Sequence, residues 1–234
     1  MSHDAARAVL AARHPEAEAA FWAGSLSRGE GTATSDLDLV VVYGSIDRAW
    51  RDCFAFEGRL CDTFVHDPAS LEMFFAKDVD RGRPTMMAMV AEGVGLIDGA
   101  LANRVVARAR DVLMAGPRAW TADEMARSRF GAGDMLDDLL GSRDPAERRA
   151  IGVALYGHLF EHHRRAKGAW SAGGKQIVRV LRREEGAFGQ RFLMAFEDLF
   201  TRDDPAAAVD LVAAIYGPSG GVLREWRQEA PHRT

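Results

Sequence analysis

The chain has 234 residues, a length that allows one large domain or two smaller ones around a substantial hydrophobic core. It is 47% hydrophobic and 27% charged, as a globular protein is, and its net charge of −4 gives no overall attraction to nucleic acid. No run approaches the roughly 18 apolar residues of a membrane-spanning helix, and the charged N-terminus is unlike a signal peptide. With two cysteines that form no CxxC pair, these features predict a cytoplasmic protein with free thiols and no membrane association.

The first hundred residues mix predicted helices and strands. Apolar residues at helical spacing predict a first helix that ends near His14, and a short strand, a glycine-rich loop and a β-branched strand follow it. Two further strands are predicted on either side of Glu57-Gly58, and Asp67-Pro68 has the form of a helix start. The predicted strands cover residues 19–23, 37–43, 53–56, 60–66 and 94–97.

From about residue 101 the pattern is helical throughout. Thr121 to Glu124 has the form of a capping box, and Asp144-Pro145 and Asp204-Pro205 are two more helix starts. Helices are predicted over residues 121–140, 145–166, 174–185 and 188–200. The sequence therefore predicts an α+β protein, with a mixed-sheet domain over residues 1–100 and an all-helical bundle domain over residues 101–234.

A polar, glycine-rich segment from residue 24 leads into two aspartates, Asp36 and Asp38, at the start of a predicted strand. Side chains two positions apart on a strand project to the same face, so both carboxylates point into one small volume. Backbone N–H groups and hydroxyls of the loop can hold phosphate, and paired carboxylates suit a divalent metal that carries a nucleoside triphosphate. The alternative is a pair of solvated aspartates at a strand end, one of which caps a turn.

Asp62 lies in the middle of an apolar predicted strand, where a charged side chain is costly to bury without a partner. If this strand pairs with residues 37–43, Asp62 joins Asp36 and Asp38, and three carboxylates can hold one or two Mg²⁺ ions. Asp62 is then a metal ligand or the acceptor of a proton from an attacking hydroxyl. The alternative is an edge-strand residue that faces water.

The succession of Gly24-Ser25, Asp36-Leu37-Asp38 and a later strand acid at Asp62 resembles the nucleotidyltransferase fold shared by DNA polymerase beta and many small transferases. With Arg28-Gly29 inside the loop, the segment looks most like the bacterial aminoglycoside and lincosamide nucleotidyltransferases, which are antibiotic-resistance enzymes, and their uncharacterised relatives. The resemblance covers about residues 20–66 and implies a nucleotidyltransferase fold for the first domain.

The resemblance also implies functional roles. The reaction would move a nucleoside monophosphate, AMP from ATP in the first instance, to a hydroxyl of a small molecule, with Mg²⁺ and ATP as the bound groups. Asp62 would complete the metal site or act as the base, and no additional glutamate is identified for that task. The implied triphosphate contacts are Gly24, Ser25 and Arg28, and the implied Mg²⁺ ligands are Asp36, Asp38 and Asp62.

A basic segment opens a predicted helix in the second half of the chain. Lys175 follows Gly173-Gly174, and Lys175 and Arg179 lie four residues apart on one helix face. Because a helix N-terminus favours anions, we predict that Lys175 and Arg179 bind the triphosphate from the opposite side of a cleft. The alternative is a solvated basic face whose apolar side packs inward.

The partners are predicted to be a nucleoside triphosphate and a small-molecule acceptor, with a protein hydroxyl as a second acceptor class. Nucleic acid is disfavoured, because extended phosphate contacts need more lysine and arginine than an acidic chain offers. The oligomeric state is left open, with a homodimer as one alternative. The rival function is an antitoxin-like or regulatory protein that uses the same fold to bind or modify a protein partner.

Overall fold

The computed structural model describes residues 3–229 and belongs to the α+β class, as predicted. The chain divides into two compact units, Met1–Pro117 and Arg118–Thr234. The first unit contains a mixed sheet and the second is helical, which confirms the predicted order of the two architectures along the chain.

The sheet of the first unit has the strand order β3-β4-β2-β1-β5. Strands β2 and β4 are parallel, and the other neighbouring pairs are antiparallel. Each of the five predicted strands is present, although β3 begins three residues before the predicted start. The strands are β1 (Ala19–Ala23), β2 (Leu37–Val42), β3 (Trp50–Phe56), β4 (Arg59–His66) and β5 (Val94–Ile97).

Helices cover this sheet. They are α1 (His3–Arg13), α2 (Gly24–Ser27), α3 (Pro68–Arg81), α4 (Thr85–Ala91) and α5 (Ala100–Ala115). Helix α1 shares a hydrophobic cluster with alternate residues of β2, while α3 packs against β4 and α4 and α5 pack against β1. The predicted domain boundary near residue 100 lies before α5, whereas the compact units are divided after it. The packing of α5 on β1 explains this difference.

Local sequence signals account for most of these elements. Leu37, Leu39 and Val41 enter the cluster beneath α1, so period-2 alternation directs Asp38 to the other face of β2. Asp67 caps α3 in a capping box with Ser70, which confirms the predicted helix start. Two short helices were not predicted. One is α4, and the other is the single turn α2, which replaces the start of the expected glycine-rich loop.

The second unit is a helical bundle, as predicted. Its helices are α6 (Ala122–Gly141), α7 (Pro145–Ala166), α8 (Lys175–Glu184), α9 (Gly186–Arg202) and α10 (Ala206–Tyr216), followed by a 3₁₀ turn at Gly217–Ser219. The capping box at Thr121 and Glu124 opens α6, and buried aliphatic and aromatic residues of all five helices form one core. Within residues 3–229, no helix combines the length and the apolar character needed to cross a lipid bilayer.

The core of the helical bundle contains a buried polar cluster around His162. The His162 side chain is completely buried. Its Nδ1 lies 3.0 Å from Ser128 Oγ, its ring packs 3.9 Å from that of Tyr216, and Ser128 Oγ lies 3.3 Å from Tyr216 Oη. Burial, together with the charges of neighbouring basic groups, lowers the pKa of His162 to about 4. His162 is therefore a neutral part of the packing of α6, α7 and α10.

This burial predicts acid sensitivity of the helical bundle. The unfolded chain binds a proton at His162 near pH 6.5 and the folded chain only near pH 4, so stability is complete above pH 6.5 and falls towards pH 4. His162 alone should account for about 2–3 kcal/mol of this loss. We expect His162→Gln to destabilise the protein more at pH 7 than at pH 4.5 in urea unfolding. An equal effect at both pH values would contradict the assignment.

Candidate active site

Three aspartates meet on neighbouring strands of the sheet. Asp38 on β2 pairs with Asp62 on β4 in the parallel register, and Asp36 lies one residue before β2. Each of the three offers a carboxylate oxygen within 4.8 Å of the others. Asp62 is only 3% exposed, and β4 lies between β3 and β2. The alternative of an edge-strand residue facing water is therefore wrong, and the predicted three-carboxylate cluster is present.

Gly24 is packed directly against this cluster. It follows Ala23, which pairs with Asp38 across β1 and β2, and its φ of +77° lies in the left-handed region. A Cβ at this position would lie 1.8 Å from Asp38 Oδ2, so the carboxylate or the turn would have to move. Both the backbone conformation and the carboxylate beside it therefore favour glycine at position 24.

The residues after Gly24 form an ordered turn. Ser27 Oγ donates to the Gly24 carbonyl at 3.0 Å, and Ser25 Oγ donates to Ser35 Oγ at 3.3 Å, so the two ends of the loop are joined. Arg28 lies 3.4 Å from Glu30, and its charge acts on Asp38. The first unit therefore places Gly24 beside Asp38 and brings the charge of Arg28 to bear on it, and the contacts of Gly24, Ser25 and Arg28 with a triphosphate stay a prediction.

Asp38 carries an electrostatic cost in the metal-free cluster. Burial, followed by the charges of Asp36 and Asp62, raises the pKa of Asp38 to about 6. The positive charges of Arg28 and Arg51 act in the opposite direction but do not cancel this effect. A cation placed among the three carboxylates would relieve both the repulsion and the desolvation.

The donor set fits a hard divalent cation. The cluster offers carboxylate oxygens, which Mg²⁺ prefers, and the missing Cβ of Gly24 leaves the space that the Asp38 carboxylate occupies. Asp36, Asp38 and Asp62 are therefore the residues that would hold Mg²⁺.

Metal affinity should depend on the ionisation of Asp38. Because the pKa of Asp38 is about 6 in the metal-free protein, a metal must displace a proton from it below that pH. We expect the Mn²⁺ affinity to be constant above pH 7 and to fall about tenfold per unit below pH 6. Titration calorimetry from pH 5 to pH 8 measures this slope. The Asp38→Asn protein should bind more weakly and without this slope, and a flat wild-type profile would contradict the prediction.

Sequence reasoning missed Arg51, the nearest cation to the third acid. Arg51 Nε donates to Asp62 Oδ1 at 2.8 Å, and Nη2 donates to Oδ2 at 2.5 Å. Cys53 Sγ lies 3.2 Å from the same Oδ1. The available signal was the Glu57-Gly58 turn, in which both residues have positive φ, as in a two-residue type I′ hairpin. Counting back from that turn pairs Cys53 with Asp62 and places Arg51 diagonally across from it.

The arginine alters what Asp62 can do. Burial raises the pKa of Asp62, but the hydrogen bonds from Arg51 and Cys53 and the arginine charge outweigh it, so the pKa lies below its ordinary value. A general base works best when its pKa is near the working pH. While Arg51 is bound to it, Asp62 is therefore poorly suited to accept a proton.

The second unit holds Lys175 and Arg179 at the start of α8. Lys175 is exposed and Arg179 is half-buried, while Ile177 and Leu181 of the same helix enter the bundle core. These two basic residues belong to a different unit from the carboxylates. Their role in binding the triphosphate stays a prediction.

The basic residues at the C-terminal end of α7 form ion pairs within the helical bundle. His163 Nε2 lies 2.9 Å from Glu185, and Arg164 contacts Glu185 at 2.5 Å and Glu184 at 2.6 Å. Lys167 Nζ lies 3.4 Å from Glu185. These contacts hold the end of α7 against the corner between α8 and α9, so these three basic residues have a structural function.

The chain has few detectable similarities to known proteins. No protein-family model matches the chain, and no curated protein matches it. Among solved structures, the chain is similar to a nucleotidyltransferase-like protein from Exiguobacterium sibiricum 255-15, at 14% identity and a TM-score of 0.41, over 93% of this chain and 73% of the other. A similarity of this size does not establish a family for this chain.

Proposed function

We propose that the protein is a metal-dependent nucleotidyltransferase that moves a nucleoside monophosphate from a triphosphate, ATP in the first instance, to a hydroxyl of a small molecule. The observation that carries the proposal is the convergence of Asp36, Asp38 and Asp62 within 4.8 Å, where the start of β2 pairs with β4. The close approach of Gly24 to Asp38 supports it, since the same glycine turn is the one that the sequence resemblance assigns to the triphosphate.

Each residue of the cluster has a proposed role. Asp36 and Asp38 would bind Mg²⁺, and Asp62 would be a further ligand from the neighbouring strand. When bound, Mg²⁺ neutralises charge on the triphosphate oxygens and on the departing pyrophosphate. The backbone and hydroxyls of Gly24 and Ser25 would orient the triphosphate, so that the acceptor hydroxyl attacks the α-phosphorus in line with the leaving group.

A transfer screen with two differently labelled nucleotides tests this reaction. Purified protein is incubated with Mg²⁺ and ATP that is radiolabelled at either the α- or the γ-phosphate, with aminoglycosides, lincosamides, a protein mixture and RNA as acceptors. Transfer of a nucleoside monophosphate labels the acceptor from α-labelled ATP only and releases pyrophosphate. Label from γ-labelled ATP would instead indicate a kinase and overturn the proposal.

The acceptor class is read from the same screen. An aminoglycoside- or lincosamide-like product would support an antibiotic-resistance role, and a labelled protein would move the proposal to a protein hydroxyl. If no acceptor is labelled by a protein that still binds Mg²⁺ and ATP, and a second chain co-purifies with it, the regulatory or antitoxin-like function replaces the enzymatic one.

A further inference from the structure

The Asp62 carboxylate is already engaged by donors of the protein. Oδ1 receives the Arg51 guanidinium at 2.8 Å and the Cys53 thiol at 3.2 Å, and Oδ2 receives Arg51 at 2.5 Å. A carboxylate offers about four lone-pair positions, so these contacts leave one on Oδ2 for a metal ion. In the metal-free protein, Asp62 is therefore already paired with a positive charge, that of Arg51.

The two partners of this ion pair differ in their surroundings. The Asp62 side chain is 5% exposed and fixed within the sheet, whereas the Arg51 side chain is 61% exposed and lies over the ring of Phe64 at 5.1 Å. An exposed arginine on an edge strand can leave towards solvent, while the buried carboxylate cannot follow it. Arg51 is therefore the partner that can move away.

We propose that Arg51 is an internal cation that competes with divalent metal for Asp62 and so keeps the metal affinity of the nucleotide-free protein low. The proposal rests on the metal site of the proposed function. The positive charge of the guanidinium repels a divalent ion near Asp62. The guanidinium also occupies lone pairs of Asp62 that the ion would otherwise use. Arg51 is a positioning residue, because it acts through Asp62.

Mn²⁺ binding without nucleotide tests the competition. At pH 8, where Asp38 is ionised, we expect Arg51→Gln to bind Mn²⁺ at least about tenfold more tightly than the wild type in titration calorimetry. Arg51→Lys keeps the charge but loses the two-pronged contact, so its affinity should lie between the two. Arg13→Gln is the matched control, since Arg13 contacts Asp52 of β3 at 3.1 Å, outside the cluster, and it should leave the affinity unchanged.

Thermal unfolding separates competition from a merely structural role. Without metal, Arg51→Gln should melt below the wild type, because a buried carboxylate has lost its partner. Added Mn²⁺ should then raise its melting temperature by more than it raises that of the wild type. A purely structural arginine predicts the reverse, with stability and metal affinity lost together.

An Mn²⁺ affinity of folded Arg51→Gln equal to or weaker than that of the wild type overturns the proposal. If Arg51→Gln does not fold, Arg51→Lys gives the same comparison with a smaller expected gain. Because no nucleotide is present, a protein that fails to transfer AMP can still show the tighter binding, so failure of the reaction is distinguishable. If neither the wild type nor the variant binds Mn²⁺, the metal site and the competition fall together.

Discussion

Asp36→Asn and Asp38→Asn are expected to reduce nucleotide transfer by at least about 10³-fold, because a catalytic metal contributes several kcal/mol to the transition state. Each substitution keeps the size and shape of the side chain and removes one anionic ligand. Transfer from α-labelled ATP, measured with the purified variants, gives the loss. Activity retained in either variant would refute the metal-dependent mechanism.

The stability of Asp38→Asn separates a catalytic role from a structural one. Because the pKa of Asp38 is raised to about 6, its ionisation destabilises the metal-free fold above that pH, and the cost disappears as the pH falls towards 4. Removing the charge should stabilise the metal-free protein at pH 8 by about 1–2 kcal/mol, after allowance for partial exposure. An inactive variant that is also more stable would identify a residue kept for function.

Asp52→Asn is the matched control for both measurements. Asp52 lies on the same sheet and pairs with Arg13 at the surface, where an ion pair contributes at most about 1 kcal/mol. It should leave transfer and metal affinity unchanged. An Asp38→Asn protein that is inactive because it has unfolded would assign Asp38 to the fold instead.

Gly24→Ala is expected to weaken metal binding and transfer by about 10²-fold, because the new methyl group would overlap Asp38 and displace its carboxylate. The Cβ position lies 1.8 Å from Asp38 Oδ2, so either that side chain or the turn must move. The variant should also lose about 1–2 kcal/mol of stability, since alanine is strained at a φ of +77°. Mn²⁺ calorimetry and the transfer assay measure the first effect, and urea unfolding measures the second.

Gly29→Ala provides a control with the same backbone strain and no clash. Gly29 has a φ of +73°, and a Cβ there would meet nothing within 4 Å. It should lose a similar amount of stability while keeping metal affinity and transfer near wild type. If the two alanine variants weaken metal binding equally, the contact between Gly24 and Asp38 is irrelevant to the site.

These variants also bear on the resting state of the site. The metal-free cluster contains one carboxylate with a raised pKa, Asp38, and one that is paired with an arginine, Asp62. Repulsion at the first favours metal binding, and the ion pair at the second opposes it. We therefore expect Asp36 and Asp38 to be the primary ligands, with Asp62 joining as Arg51 withdraws.

Local sequence determined the elements and two of the three acids. A continuous run of aliphatic, largely β-branched residues specifies β2, a capping box starts α3 at Asp67, and the spacing of Asp36 and Asp38 places both on one face. These features act over a few residues, so they can be predicted without knowledge of the rest of the chain. The short helices α2 and α4 escaped prediction, because a single turn or two has little periodicity to detect.

Tertiary structure decided what surrounds those acids. The parallel pairing of β2 with β4 brings Asp62 beside Asp38, and the β3–β4 hairpin brings Arg51 onto Asp62 from 11 residues away. A shift of one residue in either register would send these side chains to the opposite face of the sheet. The sequence by itself therefore determined that carboxylates are available for a metal, because strand periodicity is local. Only the strand pairing decided that one of them is shared with an arginine, because that contact depends on the register between strands.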